Sequence, residues 1–265
     1  MLKLYTILLN WVRRFIKRNQ PIDYIILPGA WHTPSSLQEL AANLQKGRNT
    51  ATVIRYPRKN DFLPNRINFH AYVNETMSCI QRRLRYHGGR IVLVAHSSGG
   101  TIAQRVADIM TRHIDAIIYI NAFVVPKGQS QLDQVDDLVA DGIRDSVDSN
   151  GFVPVNEDYV RDILMPNASQ PEKEKVLKTL ADEHLSLFDE PVPLSEQVTG
   201  VPTAAIKLTK DFSMPPGFYL DMAIVNGGAT TVSRFNGDHE APVTQPKLLS
   251  GVIKETLRDL LHYCE

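Results

Sequence analysis

The stretch Ile91-Val92-Leu93-Val94-Ala95-His96-Ser97-Ser98-Gly99-Gly100 carries the residues best placed to do chemistry. Its branched apolar run reads as a buried strand, and the small residues that follow open a helical pattern. A serine on such a strand-to-helix turn presents its hydroxyl clear of the backbone, provided that the residues two before and two after it are small. With Ser97 as nucleophile those positions are Ala95 and Gly99, whereas with Ser98 the first of them is the bulky His96. Sterics therefore favour Ser97, although Ala95 carries one methyl group more than the first glycine of G-x-S-x-G. The bland alternative is a serine-glycine turn that merely opens an ordinary helix. A nucleophilic serine also needs a base for its proton, held in one tautomer by a buried acid. The chain offers eight histidines and 29 acidic residues for these roles.

Holding such groups in place requires a rigid scaffold, and the sequence alternates short apolar runs with longer amphipathic ones. Strands are predicted at Tyr24–Leu27, Thr52–Tyr56, Ile91–Ala95, Ala116–Ile120, Ala204–Leu208 and Thr231–Phe235,. Helical spacing appears near 35–46, 66–86, 99–112, 217–226 and 244–262, with Gly47 and Gly88 as stops,. Continuously apolar strands fit a mostly parallel central sheet covered by helices on both faces, an α/β fold. About 80 residues separate the strand ending at Ile120 from the next, too many for an unstructured loop. Leu132, Val135, Leu138 and Val139, then Val176, Leu177 and Leu180, show helical spacing there. Residues 126–200 are accordingly expected to form a helical lid inserted into a core of 21–125 and 201–265.

Three separated segments resemble the α/β-hydrolase superfamily, closest to the branch of plant-type methylesterases and hydroxynitrile lyases and their microbial relatives. They are Leu27-Pro28-Gly29-Ala30-Trp31, the turn at 95–100, and the late pair Thr209-Lys210-Asp211 and Gly237-Asp238-His239. The resemblance covers most of residues 22–262; the first 20 residues lie outside it, and 126–200 matches only as a lid of similar size and position. It implies a Ser97, His239 and Asp211 triad, with the backbone N–H groups of Ala30 and Ser98 as the oxyanion hole. Asp238, beside the histidine, is the rival acid. His96 before the serine is expected to pack, His32 could line the pocket entrance, and His70, His87, His113, His184 and His262 read as surface or helix-end residues. Pro28 stands where the family usually has histidine, so the hydrogen bond that anchors this loop elsewhere is expected to be missing. Resembling lyases carry threonine where Gly29 stands and lysine after the histidine, where this chain has Glu240. A carboxylate there would oppose a departing anion, and hydrolysis is expected over lyase chemistry.

Composition removes several other classes. With 29 basic against 29 acidic residues there is no whole-protein field to attract nucleic acid,. Two cysteines exclude a disulfide framework or a Cys-rich zinc site, no P-loop, dinucleotide fingerprint or metal spacing occurs, and no cofactor is expected,. Residues 1–19 hold Lys3, Arg13, Arg14, Lys17 and Arg18 with no acid, opposite Leu4, Leu8, Trp11 and Phe15. Residues 1–20 thus read as an amphipathic helix, too short and charged to span a bilayer. It either packs on the domain or gives a weak membrane-surface contact, and a cytoplasmic location is expected, peripheral to a membrane in the second case. Taken together, a serine hydrolase of a small to medium, largely apolar carboxylic ester is expected, acting through an acyl-serine. A slow-turnover small-molecule receptor and a lyase or tailoring enzyme on the same fold are the alternatives. The sequence is silent on oligomeric state.

Overall fold

The computed structural model describes residues 20–59 and 66–263. The expected N-terminal helix falls, apart from Gln20, outside them. Branched apolar runs form the central strands β1 (Ile22–Leu27), β3 (Arg90–Ser97), β4 (Ala116–Ala122) and β7 (Thr203–Leu208), with β2 (Thr50–Val53) and β8 (Thr231–Phe235) at the edges. They pair in the order β2-β1-β3-β4-β7-β8, every pair parallel. The mostly parallel sheet expected from the sequence is what forms. Strand β2 starts two residues and ends three residues before its expected place, and beyond it the Tyr56 hydroxyl donates to the Pro28 carbonyl at 3.3 Å.

Because side chains alternate along a strand, each central strand feeds two cores. Ile25, Leu27, Ile91, Leu93, Ile117 and Tyr119 pack on one face with α2 (Phe69–Tyr86), α3 (Gly99–Met110) and α6 (Phe218–Val225). Tyr24, Ile26, Val92, Val94, Ile118 and Ile120 pack on the other with α1 (Gln38–Leu44) and α7 (Pro246–Tyr263). Each such fully buried Leu or Ile contributes about 1.5–3 kcal/mol, so burial on both faces is the main force fixing the sheet. Helix α2 starts where the Asn68 side chain caps the Ala71 N–H at 3.0 Å and stops at Gly88, whose φ of +64° only glycine adopts freely,.

Between β4 and β7 the chain is less helical than its apolar spacing suggests. It holds α4 (Asp137–Asp145), α5 (Gln170–Leu177), short turns at 132–134, 157–164 and 186–189, and an antiparallel ribbon of β5 (Phe152–Val153) and β6 (Glu183–His184). Leu138 and Val139, part of that helical spacing, are 82% and 48% exposed. They face an opening rather than a core.

Candidate active site

Strand β3 ends in Ser97, whose φ of +51° lies in the left-handed region that non-glycine residues adopt only under constraint,. The constraint comes from close packing. A β-carbon on Gly99 would stand 2.4 Å from the Leu27 carbonyl oxygen, and one on Gly100 would stand 2.2 Å from that of Phe123. Ala95, the other small position, is fully buried. The β3–β4 register slips here, His96 facing Ile120 but Ser97 facing Ala122. The slip leaves Asn121 as a bulge with φ +33°, and bulges commonly re-aim a side chain beside a site,.

The structure brings Ser97, His239 and Asp211 into one hydrogen-bonded chain. His239 Nε2 lies 3.0 Å from Ser97 Oγ and its Nδ1 lies 2.6 Å from Asp211 Oδ2. With the ring proton on Nδ1 donated to Asp211, Nε2 is free to accept from the serine. Asp211 is held by three further donors: the Ser213 N–H and hydroxyl on Oδ1 at 2.9 and 2.6 Å, and Asn121 Nδ2 on the other oxygen at 2.6 Å. Burial alone would raise its pKa, but His239 and these hydrogen bonds hold it well below the usual carboxylate range. Burial opposes the imidazolium of His239 as well, yet Asp211 and Glu240 outweigh it and set its pKa above the ordinary imidazole value. Asp238 is elsewhere engaged, accepting from the backbone N–H and the side chain of Asn167 at 3.1 and 2.7 Å.

His96 packs as expected, its ring 4.7 Å from that of His239. It also donates from Nε2 to the His239 carbonyl at 2.9 Å. Burial, followed by the neighbouring His239, lowers its pKa to about 3, so the ring stays neutral. Its other nitrogen faces Gly29, where a β-carbon would come within 3.2 Å of it and 2.9 Å of Ser97 Cβ. Anything larger than glycine at 29 would push against the serine itself.

Ala30, Ser97, Ser98 and His239 line one cavity of about 410 Å³. The backbone N–H groups of Ala30 and Ser98 donate to no group among the described residues, which suits them to an oxyanion. The walls are mostly apolar, with Trp31, Phe123, Leu132, Ile143, Tyr159 and Phe188 prominent, and include no lysine or arginine. Among the described residues no cluster of His, Cys, Asp or Glu could hold a metal ion. No described helix is long and apolar enough to cross a membrane.

Glu240 required a tertiary view. It does not stand bare beside the serine: it is fully buried and pairs with His32 Nε2 at 2.7 Å, although 208 residues separate them. Burial would raise its pKa, but His32 draws it down to about 2, so it acts as half of an ion pair. Paired in this way, Glu240 does not present the lone carboxylate expected to oppose a departing anion. His32 lines the cavity as anticipated but is 3% exposed and fully bonded. His70, His87, His113 and His262 are exposed, whereas His184 is half-buried in β6, bonded through Nδ1 to Ser186.

Residues 24–251 match the model of the alpha/beta hydrolase family. The chain belongs to that family. A curated relative, the alpha/beta hydrolase nvfD of Aspergillus novofumigatus, is 21% identical over 87% of this chain and 94% of its own. An extracellular alpha/beta-hydrolase from a Paenibacillus species superposes with a TM-score of 0.78 at 21% identity, covering 89% of this chain and 99% of that one. A methylesterase from Arabidopsis does so with a TM-score of 0.70 at 17% identity, over 89% and 99%. At these identities the two structures demonstrate a shared fold. Their kind, plant-type methylesterases included, is the branch that the sequence motifs resemble.

Proposed function

We propose that this alpha/beta hydrolase cleaves a small to medium, largely apolar carboxylic ester through an acyl-Ser97 intermediate. The observation that carries the reading is the pair of contacts at 3.0 and 2.6 Å linking Ser97, His239 and Asp211, open to a cavity that also holds two uncommitted amides. In this account His239 takes the proton as Ser97 Oγ attacks the ester carbonyl. The carbonyl electrons move onto an oxyanion bound by the Ala30 and Ser98 N–H groups. Collapse expels the alcohol, protonated by His239, and water then repeats the sequence to release the acid. Each oxyanion donor is worth about 3 kcal/mol in such sites.

An uncharged substrate is favoured because the walls carry no lysine or arginine to neutralise a carboxylate or phosphate, and the charge of His32 is already matched by Glu240. The lack of a lysine or arginine in the cavity also disfavours lyase chemistry that expels an anion. Residues 126–200 act as a lid in this reading, since Leu132, Val135, Ile143, Val153, Tyr159 and Phe188 supply much of the roof. Exposed Leu138 and Val139 then form an apolar mouth.

A fluorophosphonate probe, combined with hydrolysis of p-nitrophenyl esters, tests the assignment. The parent is expected to label and turn over, and Ser97→Ala to lose labelling together with about 10⁴-fold or more in kcat. Labelling and turnover that survive Ser97→Ala would refute it.

A further inference from the structure

The loop bearing the Ala30 N–H is strained and pinned. Its turn, Gly29 to His32, closes through the His32 N–H on the Gly29 carbonyl at 3.4 Å. The third residue, Trp31, has φ +64°, a sign that type II turns demand there and normally give to glycine,. A bulky residue in that region costs about 1–2 kcal/mol, so something must hold the Ala30–Trp31 peptide in this orientation. Both of its ends are taken. His32 Nδ1 lies 3.0 Å from the Ala30 carbonyl oxygen, and the Trp31 N–H donates to Glu183 Oε2 at 3.2 Å.

Each of the two groups is itself anchored by buried charge. A carbonyl oxygen only accepts, so His32 Nδ1 must carry a proton, and Nε2 meets Glu240 at 2.7 Å,. At the other end Arg58 binds Glu183 at 3.1 Å and also donates to the His32 carbonyl, while the Tyr72 hydroxyl donates to Glu183 Oε1 at 2.8 Å. With Pro28 in place of the family's histidine, this clamp does what the missing side chain cannot.

We propose that His32, backed by Glu240, and Glu183 are positioning residues. Gripping the Ala30–Trp31 peptide from its carbonyl and N–H ends, they keep the adjoining Ala30 N–H aimed at the oxyanion. The inference rests on the ester-hydrolase reading of the site. If the clamp releases, the peptide relaxes toward a negative Trp31 φ and shifts the donor, and misplacement by about 1 Å costs ~10²-fold in rate. Substrate contacts elsewhere in the cavity are untouched, so the loss falls on kcat.

Two substitutions separate this role from mere packing or charge pairing. In His32→Asn the amide N–H sits where Nδ1–H was, within reach of the Ala30 carbonyl, but cannot reach Glu240. In His32→Gln the polar end sits where Nε2 was, keeping Glu240 paired and leaving the Ala30 carbonyl unbound. The clamp predicts that His32→Asn keeps kcat within about 5-fold of the parent, while His32→Gln loses ~10- to 100-fold with KM within about twofold. Affinity for phenylboronic acid, whose tetrahedral adduct places an oxygen in the oxyanion position, should fall by the same factor as kcat. A structural role for the ion pair predicts the reverse ranking. Equal kcat for the two variants, the reverse ranking, or a loss carried by KM overturns the proposal. Should either variant fail to fold, both are compared in the Glu240→Gln background, where no buried carboxylate is stranded. Ser97-dependent turnover of the parent is established first; its absence removes the reading of the site, whereas its presence with the wrong ranking removes only the clamp.

Discussion

Asp211→Asn is expected to lower kcat by about 10³–10⁴-fold while KM changes little, a loss of roughly 4–5.5 kcal/mol in transition-state stabilisation. The reason is the tautomer. Asp211 accepts the Nδ1 proton of His239 at 2.6 Å, which leaves Nε2 to accept from Ser97 Oγ at 3.0 Å. An amide in its place can present N–H to Nδ1, driving the ring proton to Nε2, where it blocks transfer from the serine. The pH profile should move as well. The base works only when neutral, and the His239 pKa is raised because Asp211 and Glu240 outweigh burial. The parent's kcat/KM should therefore decline on acidification through a point above the ordinary imidazole pKa of about 6.5. Removing the Asp211 charge takes away the larger support of the imidazolium, so the residual activity of Asp211→Asn should persist to lower pH. Steady-state kinetics from about pH 5 to 9 check both effects. A kcat within tenfold of the parent, or an acid limb that does not move, contradicts the assigned role.

Gly99→Ala should destabilise the protein by about 3 kcal/mol or more, while Gly251→Ala should stabilise it by about 0.5–1 kcal/mol. The same added methyl group has opposite consequences because of what it meets. At Gly99 it would lie 2.4 and 2.7 Å from the carbonyl oxygens of Leu27 and Pro28, backbone atoms at the end of β1 that cannot swing aside. At Gly251, exposed in α7, nothing lies within 4 Å, and replacing glycine there removes only unfolded-state freedom,. For a chain of this size each kcal/mol moves Tm by about 2–4 °C. Thermal melts should then show Gly99→Ala lower by roughly 6 °C or more and Gly251→Ala higher by about 1–4 °C. An unchanged melt for Gly99→Ala would mean that the turn around Ser97 is looser than its packing indicates.

What could be read without coordinates follows from how local each feature is. Strands β1, β3, β4 and β7 are continuous apolar runs because both faces are buried, and a parallel sheet follows from that pattern alone,. Ser97 was legible since the small residues around it are a steric requirement of the turn that holds it. His239 and Asp211 came from resemblance rather than from spacing, because contacts across 142 and 28 positions leave no periodic trace. The same holds for His32 with Glu240 and for Trp31 with Glu183, so the loop's anchorage is not legible from the sequence and Pro28 reads there as a plain loss. The only hint was that His32 lies two residues past Ala30. Apolar spacing at Leu138 and Val139 gave the helix but not the exposure of these side chains: helical periodicity registers an apolar stripe but not whether protein covers it,. Asn121 gave no sign either, since its contact with Asp211 depends on the bulge in β4.

The central claim is that the Ser97 hydroxyl becomes acylated. Mixing the protein with p-nitrophenyl butyrate, quenching in acid within the first turnovers, and weighing the intact chain by mass spectrometry measures this directly. The account predicts a butyryl adduct that peptide mapping places on Ser97, accumulating with a burst of p-nitrophenol and absent from Ser97→Ala. Steady hydrolysis with no adduct at any time, or an adduct of the same size on Ser97→Ala, would contradict it.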